Sequence, residues 1–528
     1  MKNNAFLVNT VILTGTSIFL RIIGICLTSF LSQKIGAEGI GLYQLIFSVY
    51  TLAAAFAISG ISIAVTRLVA EEAGTSAHPT STVLRKSIGF ASTVSICVAL
   101  ALFSLSGFIG TNVLNDARTI NAIKILAPSL PFMAVTACFR GYFIGRGKIF
   151  KAASSQIFEE MIRMSIIIGT ISYFLPKGLE IACYSIVIGS TVAEMIGCAY
   201  VSILYLLDKR KNRIEYAPEK GVLKKILAIS LPVAASFYLR TGLRTAEGIL
   251  IPSSLERYGL SNKNALSQYG IIMGMAMPII LFPSVLLFSM STLLVPEIAK
   301  ANASGNQCRV SNTVSRVVQM TALLAILCSG IFIFFSGHLG MTLYHNGESG
   351  EVMMILAPLL PLMYLDIVVD SMLNGLNQQL HSLKYNILDS IVRISMIFLL
   401  IPLWGLPGFY AAIFSSSILN SLLSIRRLVK VAKIRISPAN WIIKPVLCSG
   451  AAGSIVMLLF QILAPGLESN GFILVFEIFF MVVLYIGFLF WTGCVTHMDV
   501  LWFKRRFKNA GTPPTYKMGT SRQKLYGK

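Results

Sequence analysis

Apolar stretches of about twenty residues or more recur along this chain from Phe6 to the neighbourhood of Trp491. Each can cross a hydrocarbon core of about 30 Å as a helix. Inside lipid no water satisfies the peptide groups, so a spanning segment makes its hydrogen bonds internally, as an α-helix does. Only 12% of the residues are charged and 55% are hydrophobic, whereas a soluble domain carries about 25% charge. The sequence therefore reads as an all-α integral membrane protein of about fourteen transmembrane helices. They lie near 6–31, 40–66, 87–112, 122–145, 154–175, 180–207, 226–252, 264–296, 310–336, 350–377, 383–404, 407–425, 442–465 and 471–494.

The formal net charge of +22 is a matter of topology. Alternate connecting segments beginning with the N-terminus, together with the helix ends beside them (Arg140 among these), hold 33 of the 44 Lys and Arg. The opposite loops hold six, Lys34, Arg118, Lys124, Lys177, Arg257 and Lys263, and five basic residues remain inside the spans. Such a bias is the positive-inside rule, and it places both termini in the cytoplasm of a multi-pass protein of the bacterial cytoplasmic membrane. Basic loops of this kind meet anionic lipid headgroups; nucleic acid is not the expected partner. The first apolar run is too long for a signal peptide and is interrupted by Arg21, so it reads as a retained span. The nine cysteines show no paired spacing and read as small apolar packing residues.

Shifting the chain by 230 residues lays ILAPSLPFM (125–133) on ILAPLLPLM (355–363), with seven of nine positions identical. The register continues without a gap through Gly145 and Gly375, Arg163 and Arg393, and Gly178 and Gly408. Shared apolar composition does not produce matched Pro, Gly and Arg. The repeated unit has six spans, an even number, so both copies share one orientation and are related by an axis along the membrane normal. The expected organisation is a six-helix bundle over 1–207, a cytoplasmic linker over 208–225 and a second six-helix bundle over 226–430. A C-terminal helix pair within 431–494 and a basic cytoplasmic tail over 495–528 complete it.

Charge inside a span needs a partner or a water-filled cavity, because its desolvation is costly. Glu159 and Arg163 in the fifth span, and Asp389 and Arg393 in the eleventh, are acid-before-base pairs at i, i+4, within reach on one helical face. They occupy equivalent repeat positions. Intrahelical ion pairing is the simpler reading, and lining of a central cavity is compatible with it. In the tenth span Asp366 and Asp370 are four apart, where like charges repel. Pairing to an arginine is expected for them, with a proton or coupling-ion site as the alternative. Asp370 falls on the repeat position of Arg140, so the halves differ in charge there.

The seventh span carries Arg240, Arg244 and Glu247 at i, i+4, i+7, one stripe of a helix. Two guanidiniums a turn apart against one carboxylate suit a phosphate or diphosphate. Arg21 lies deep in the first span, the repeat equivalent of the seventh, so all three arginines are candidates for a diphosphate site. The plainer alternative pairs Arg21 and Arg244 with Glu194, Asp366 or Asp370. Pro278, Pro283 and Pro296 punctuate the eighth span, where each frees a backbone carbonyl and permits a bend. The sequence offers no metal-ligand cluster, acid/base set or phosphate-cradling glycine loop, so no cofactor is expected. Coupling to protons, sodium or the membrane potential stays open.

IGAEGIGLYQLIFSVYTL (35–52), SGISIAVTRLVAEE (59–72), the two ILAP repeats and YGIIMGMAMPIILFPSVLLFSMSTLLVPEIA (269–299) resemble the polysaccharide-transport branch of the MOP flippase superfamily. Within it the likeness is to the stage V sporulation protein B group, over about residues 6–495. The resemblance implies a two-bundle transporter related to the MurJ-type lipid II flippases, with a role in cell-wall or spore-cortex assembly. It implies a lipid-linked oligosaccharide as substrate, and membrane lipids and cell-wall synthesis enzymes as partners. The first-helix arginine of MurJ-type proteins is matched by Arg21. Their arginine and glutamate on the eighth helix have no counterpart within 270–296, and Arg240, Arg244 and Glu247 of the seventh span stand in.

The expected function is a flippase for an undecaprenyl-diphosphate-linked saccharide such as a peptidoglycan precursor, working by alternating access. A cation-coupled multidrug exporter of the same superfamily is the alternative, although it favours acid over arginine in its cavity. A polytopic enzyme of glycan assembly is the third reading, and the catalytic acids or histidines it needs at the membrane face are not evident.

Overall fold

The structure, a computed structural model, describes residues 2–58, 60–74, 80–211, 221–434, 437–463 and 471–495. Residues 212–220 of the expected linker and the expected tail beyond residue 495 lie outside the described residues. Among the described residues every regular element is helical. The first half of the chain contributes α1 (Lys2–Ile58), α2 (Ile61–Gly74), α3 (Thr80–Phe108), α4 (Thr119–Leu126), α5 (Ser129–Gly145), α6 (Ile149–Phe174) and α7 (Leu179–Lys211). The second contributes α8 (Val222–Arg257), α9 (Asn262–Tyr269), α10 (Met277–Ile280), α11 (Ser284–Ala303) and α12 (Gln307–Tyr344). It continues with α13 (Gly347–Leu356), α14 (Leu360–Gly375), α15 (Gln379–Trp404) and α16 (Leu406–Ala432), and α17 (Lys444–Leu463) and α18 (Gly471–Trp491) follow.

Among the described residues ten helices are long and apolar enough to cross a membrane, or eleven when α4 and α5, bent by 40°, count as one span. The expected number of about fourteen is not reached by this measure, and the shortfall has physical causes. α1, 57 residues over most of the first two expected spans, is two helices that meet at a kink at Gly36, where φ is 67° and ψ -176°, and the pair counts as one. That is about 85 Å of helix, far more than one bilayer crossing. α6 holds Glu159, Glu160 and Arg163 together, which lowers its apolarity. The proline-bearing eighth span is broken into α9, a π-helical segment Gly270–Ala276, α10 and α11.

The repeat is visible in the elements. α6 and α15 each have 26 residues and begin at Ile149 and Gln379, 230 positions apart. α5 and α14 both end on the repeat glycines and both follow a break at the Ala-Pro of ILAP, where proline withholds its N–H. The glycines admit a neighbouring backbone: a Cβ on Gly145 would stand 2.7 Å from the Thr66 carbonyl oxygen, and one on Gly375 3.1 Å from that of Val295.

In the first half α6 packs on α7, and α5 on α2, α3 and α7. In the second, α15 packs on α16 and α8, and α14 on α11, α12 and α16. α1 faces both halves, lying against α5 and α6 and against α8, α9 and Gly270–Ala276. α17 and α18 pack on each other and on α12, around a buried cluster that includes Leu327, Phe335, Val456, Met481 and Tyr485. Leu403, Ile462 and Trp491 are 69%, 78% and 84% exposed, the outward apolar surface that lipid demands.

Candidate functional site

α5, α6 and α7 meet at an ion cluster. Glu159 of α6 is buried between two guanidiniums: Arg140 of α5 donates from Nη2 to its Oε2 at 2.8 Å, and Arg163 of α6 from Nη2 to its Oε1 at 3.1 Å. Arg163 also reaches Glu160 Oε2 at 2.8 Å and Glu194 Oε1 of α7 at 3.4 Å. Arg140 Nε donates to Ser155 Oγ at 2.9 Å. α7 makes room for Glu159, since a Cβ on Gly197 would stand 3.0 Å from its Oε2. The expected Glu159–Arg163 pair is present as one edge of a network of three carboxylates and two guanidiniums.

The second half is richer still in acid at the equivalent position. Arg393 of α15 donates to Asp389 Oδ2 at 2.5 Å and to Ser416 Oγ of α16 at 2.9 Å, and its Nη1 lies 3.6 Å from Glu247 Oε2 of α8. Asp366 and Asp370 of α14 form no arginine pair among the described residues, which corrects the simpler expectation for them. Asn420 Nδ2 donates to Asp366 at 2.5 Å, while Ser382 Oγ and Asn386 Nδ2 donate to Asp370 at 2.7 and 2.8 Å. Neutral donors one turn apart on α15 thus do the work assigned to an arginine.

Four carboxylates gather here, and the Arg393 guanidinium ion-pairs with two of them, Asp389 and Glu247. Glu247 Oε1, Asp366 Oδ1, Asp389 Oδ1 and Asn420 Oδ1 are buried and accept no hydrogen bond among the described residues. Leaving a buried acceptor unmatched costs about 1–3 kcal/mol, so taking up positive charge here is favourable. Among the described residues no group of three or more His, Cys, Asp or Glu is placed to hold a metal ion.

Arg240 and Arg244 of α8 are exposed and make no hydrogen bond or ion pair among the described residues. They stand within electrostatic reach of Asp370 and Glu247, respectively. The expected stripe therefore divides: Glu247 turns inward to Arg393, and the two cations stay at the surface of the helix. Arg21 of α1 is partly buried, and its Nε has no partner among the described residues. The alternative that paired Arg21 and Arg244 with Glu194, Asp366 or Asp370 is not what the structure shows, because Arg163, Asn420, Ser382 and Asn386 hold those acids. Ser382, Asn386, Ser416 and Asn420 were not singled out in the sequence. Their signal was there as two polar pairs at i, i+4 inside apolar helices.

The family model described as polysaccharide biosynthesis protein matches residues 6–301, more than half of the chain. This chain belongs to the polysaccharide biosynthesis protein family. Within that family it is similar to Stage V sporulation protein B of Bacillus subtilis (strain 168), 26% identical over 448 residues, 83% of this chain and 86% of that protein. Lipid II flippase MurJ of the same organism is 22% identical over 451 residues, 79% of this chain and 82% of that protein. A solved structure of lipid II flippase MurJ in an inward closed conformation matches with TM-score 0.67 at 14% identity, over 90% of this chain and 98% of that one. An inward-facing multidrug resistance MATE family transporter of the MOP superfamily matches with TM-score 0.63 at 13% identity, over 79% and 96%. At such identities the likeness speaks for the fold. This polysaccharide biosynthesis family member is a multi-pass membrane protein with the fold of MOP-superfamily transporters and flippases.

Proposed function

We propose that this membrane transporter is a flippase carrying an undecaprenyl-diphosphate-linked saccharide, such as a peptidoglycan precursor, from the cytoplasmic to the outer leaflet. The observation that carries the reading is the pair Arg240 and Arg244, exposed one turn apart on a spanning helix and unpaired among the described residues. A cation in a span is costly unless water or a ligand meets it, and guanidiniums match diphosphate oxygens in bidentate geometry. Arg21 is the third residue assigned to the diphosphate. The names of the relatives, Stage V sporulation protein B and Lipid II flippase MurJ, support a cell-wall or spore-cortex precursor.

The charge bias of the loops puts both termini in the cytoplasm. An inside-negative potential then favours outward movement of an anionic headgroup by about 2.3 kcal/mol per charge per 100 mV. Rocking of residues 1–207 against 226–430 alternates access. Glu247, Asp366, Asp370 and Asp389 form the centre at which a proton couples, while Glu159 and Arg163 brace the first bundle. Native mass spectrometry with lipid II, undecaprenyl monophosphate and a zwitterionic lipid tests the anion site. Lipid II should bind in preference, and Arg240→Ala and Arg244→Ala should each weaken it roughly ten-fold or more. Equal binding by the double variant removes the site.

The acid-rich second centre favours another reading, a cation-coupled multidrug exporter. Drug-resistance profiling of expressing cells separates the two. Resistance to cationic drugs that depends on Glu247 and Asp366, without lipid II binding, decides for the exporter.

A further inference from the structure

The two halves of the chain touch backbone to backbone at one end. A Cβ on Gly41 of α1 would lie 1.9 Å from the Leu266 carbonyl oxygen in α9, and one on Gly270 2.2 Å from that of Ala37. No side chain but glycine's hydrogen fits between main chains this close. Beside this contact Arg118, in the turn before α4, spreads its guanidinium over three partners. Nε and Nη2 grip Asp116 at 2.9 and 2.6 Å, and Nη1 reaches Glu38 of α1 at 2.9 Å. Nη2 also donates across the boundary between the halves, to Asn262 Oδ1 at 3.1 Å. Asn262 in turn donates from Nδ2 to Glu256 Oε1 at 2.7 Å. Lys263, 3.9 Å from Glu38 and largely exposed, adds little.

This arrangement can open without stranding a charge. When the halves part, Arg118 keeps Asp116 and Glu38, and Asn262 keeps Glu256, so one charged hydrogen bond is lost. The Asp116 hydrogen bond also holds the Arg118 guanidinium above its ordinary pKa, so the donor stays charged throughout. The Glu159 cluster differs, because all its members belong to one half and breaking it leaves a buried carboxylate bare. Arg118, Arg257 and Lys263 are among the few basic residues on the side that the charge bias assigns to the outside.

The geometry points to Arg118 and Asn262 as a latch that holds the outer end shut, closing on the Gly41–Gly270 backbone contact. It rests on the transporter reading and on rocking of the halves, and not on which substrate is carried.

Hydrogen–deuterium exchange of the full chain in lipid nanodiscs tests it without substrate. Arg118→Ala and, independently, Gly41→Ala should raise exchange on both sides of the boundary, in 33–42 and 262–274. Both should lower exchange at the opposite end, in 146–153 and 297–309. Asn262→Asp combined with Glu256→Gln puts a charged acceptor opposite Arg118 and should shift every segment the other way. The expected size is roughly ten-fold in the ratio of open to closed forms, the effect of one charge-assisted hydrogen bond. If Arg118→Ala does not fold, the opposite signs of the other two variants decide. Changes confined to 114–119, with the far end and the aspartate variant unmoved, would overturn the latch and leave Arg118 a local turn anchor. A failed lipid II binding experiment does not alter this readout.

Discussion

Glu159 sits between Arg140 and Arg163, with a third carboxylate, Glu194, on the same guanidinium. Removing one partner from a buried ion pair costs about 3–5 kcal/mol. Arg163→Ala, which takes the ion pair from Glu160 and Glu194 and leaves Glu159 with Arg140 alone, is therefore expected to lower the unfolding temperature in micelles more than Arg140→Ala does. Gly197→Leu presses on the same carboxylate from α7 and should destabilise by about 1–3 kcal/mol. An unfolding temperature equal to that of the parent would show that Glu159 has room to move. The Glu159–Arg163 and Asp389–Arg393 pairs were legible in the sequence because i, i+4 spacing is local. The Asn420–Asp366 bond was not, since it joins residues 54 apart and exists only once α14 and α16 are packed.

At the scale of elements, α1 carries the break that its sequence suggests. Lys34 and Glu38 make the stretch SQKIGAEG read as a connection between two spans, and two helices meet there across a kink at Gly36, which leaves helical geometry. Tertiary partners flank the kink: Glu38 meets Arg118, and Lys34 lies over the Phe30 ring. A second break follows at Gly60, whose φ of 76° and contact with the Ser230 backbone only glycine tolerates. The separate character of α17 and α18 was legible, since they fall outside the repeat. Their seat on α12 was not. It depends on Gly330 against Ser449, where a Cβ would stand 2.0 Å from Oγ, and on Gly453 against the Phe334 ring at 2.2 Å. Gly453→Val should lift this helix pair from α12, raising exchange and protease cleavage across 444–491 while 149–211 stays protected. Unchanged protection of 444–491 would count against that seat.

Taken whole, the molecule is a repeat whose two copies have diverged in charge. The first centre opposes three carboxylates with two guanidiniums, whereas in the second one guanidinium pairs with two carboxylates and neutral donors hold two more. The exchange of Arg140 for Asp370 at one repeat position accounts for much of the contrast. Protons or cations should therefore act on the second half. Glu247→Gln and Asp366→Asn are expected to flatten the pH dependence of transport, while Glu159→Gln chiefly lowers stability; transport rates in proteoliposomes between pH 5.5 and 8.5, about three decades of proton activity, check this. An unaltered profile in both second-half variants would place coupling elsewhere.

The exposed arginines of α8 lie in that same half, and the diphosphate site assigned to them is the central claim. Its most direct test is transbilayer movement of fluorescent lipid II in proteoliposomes containing the full chain. The parent protein should move lipid II, and Arg240→Ala with Arg244→Ala should slow it at least about ten-fold at unchanged unfolding temperature. Movement by the double alanine variant at the parent rate would contradict the claim.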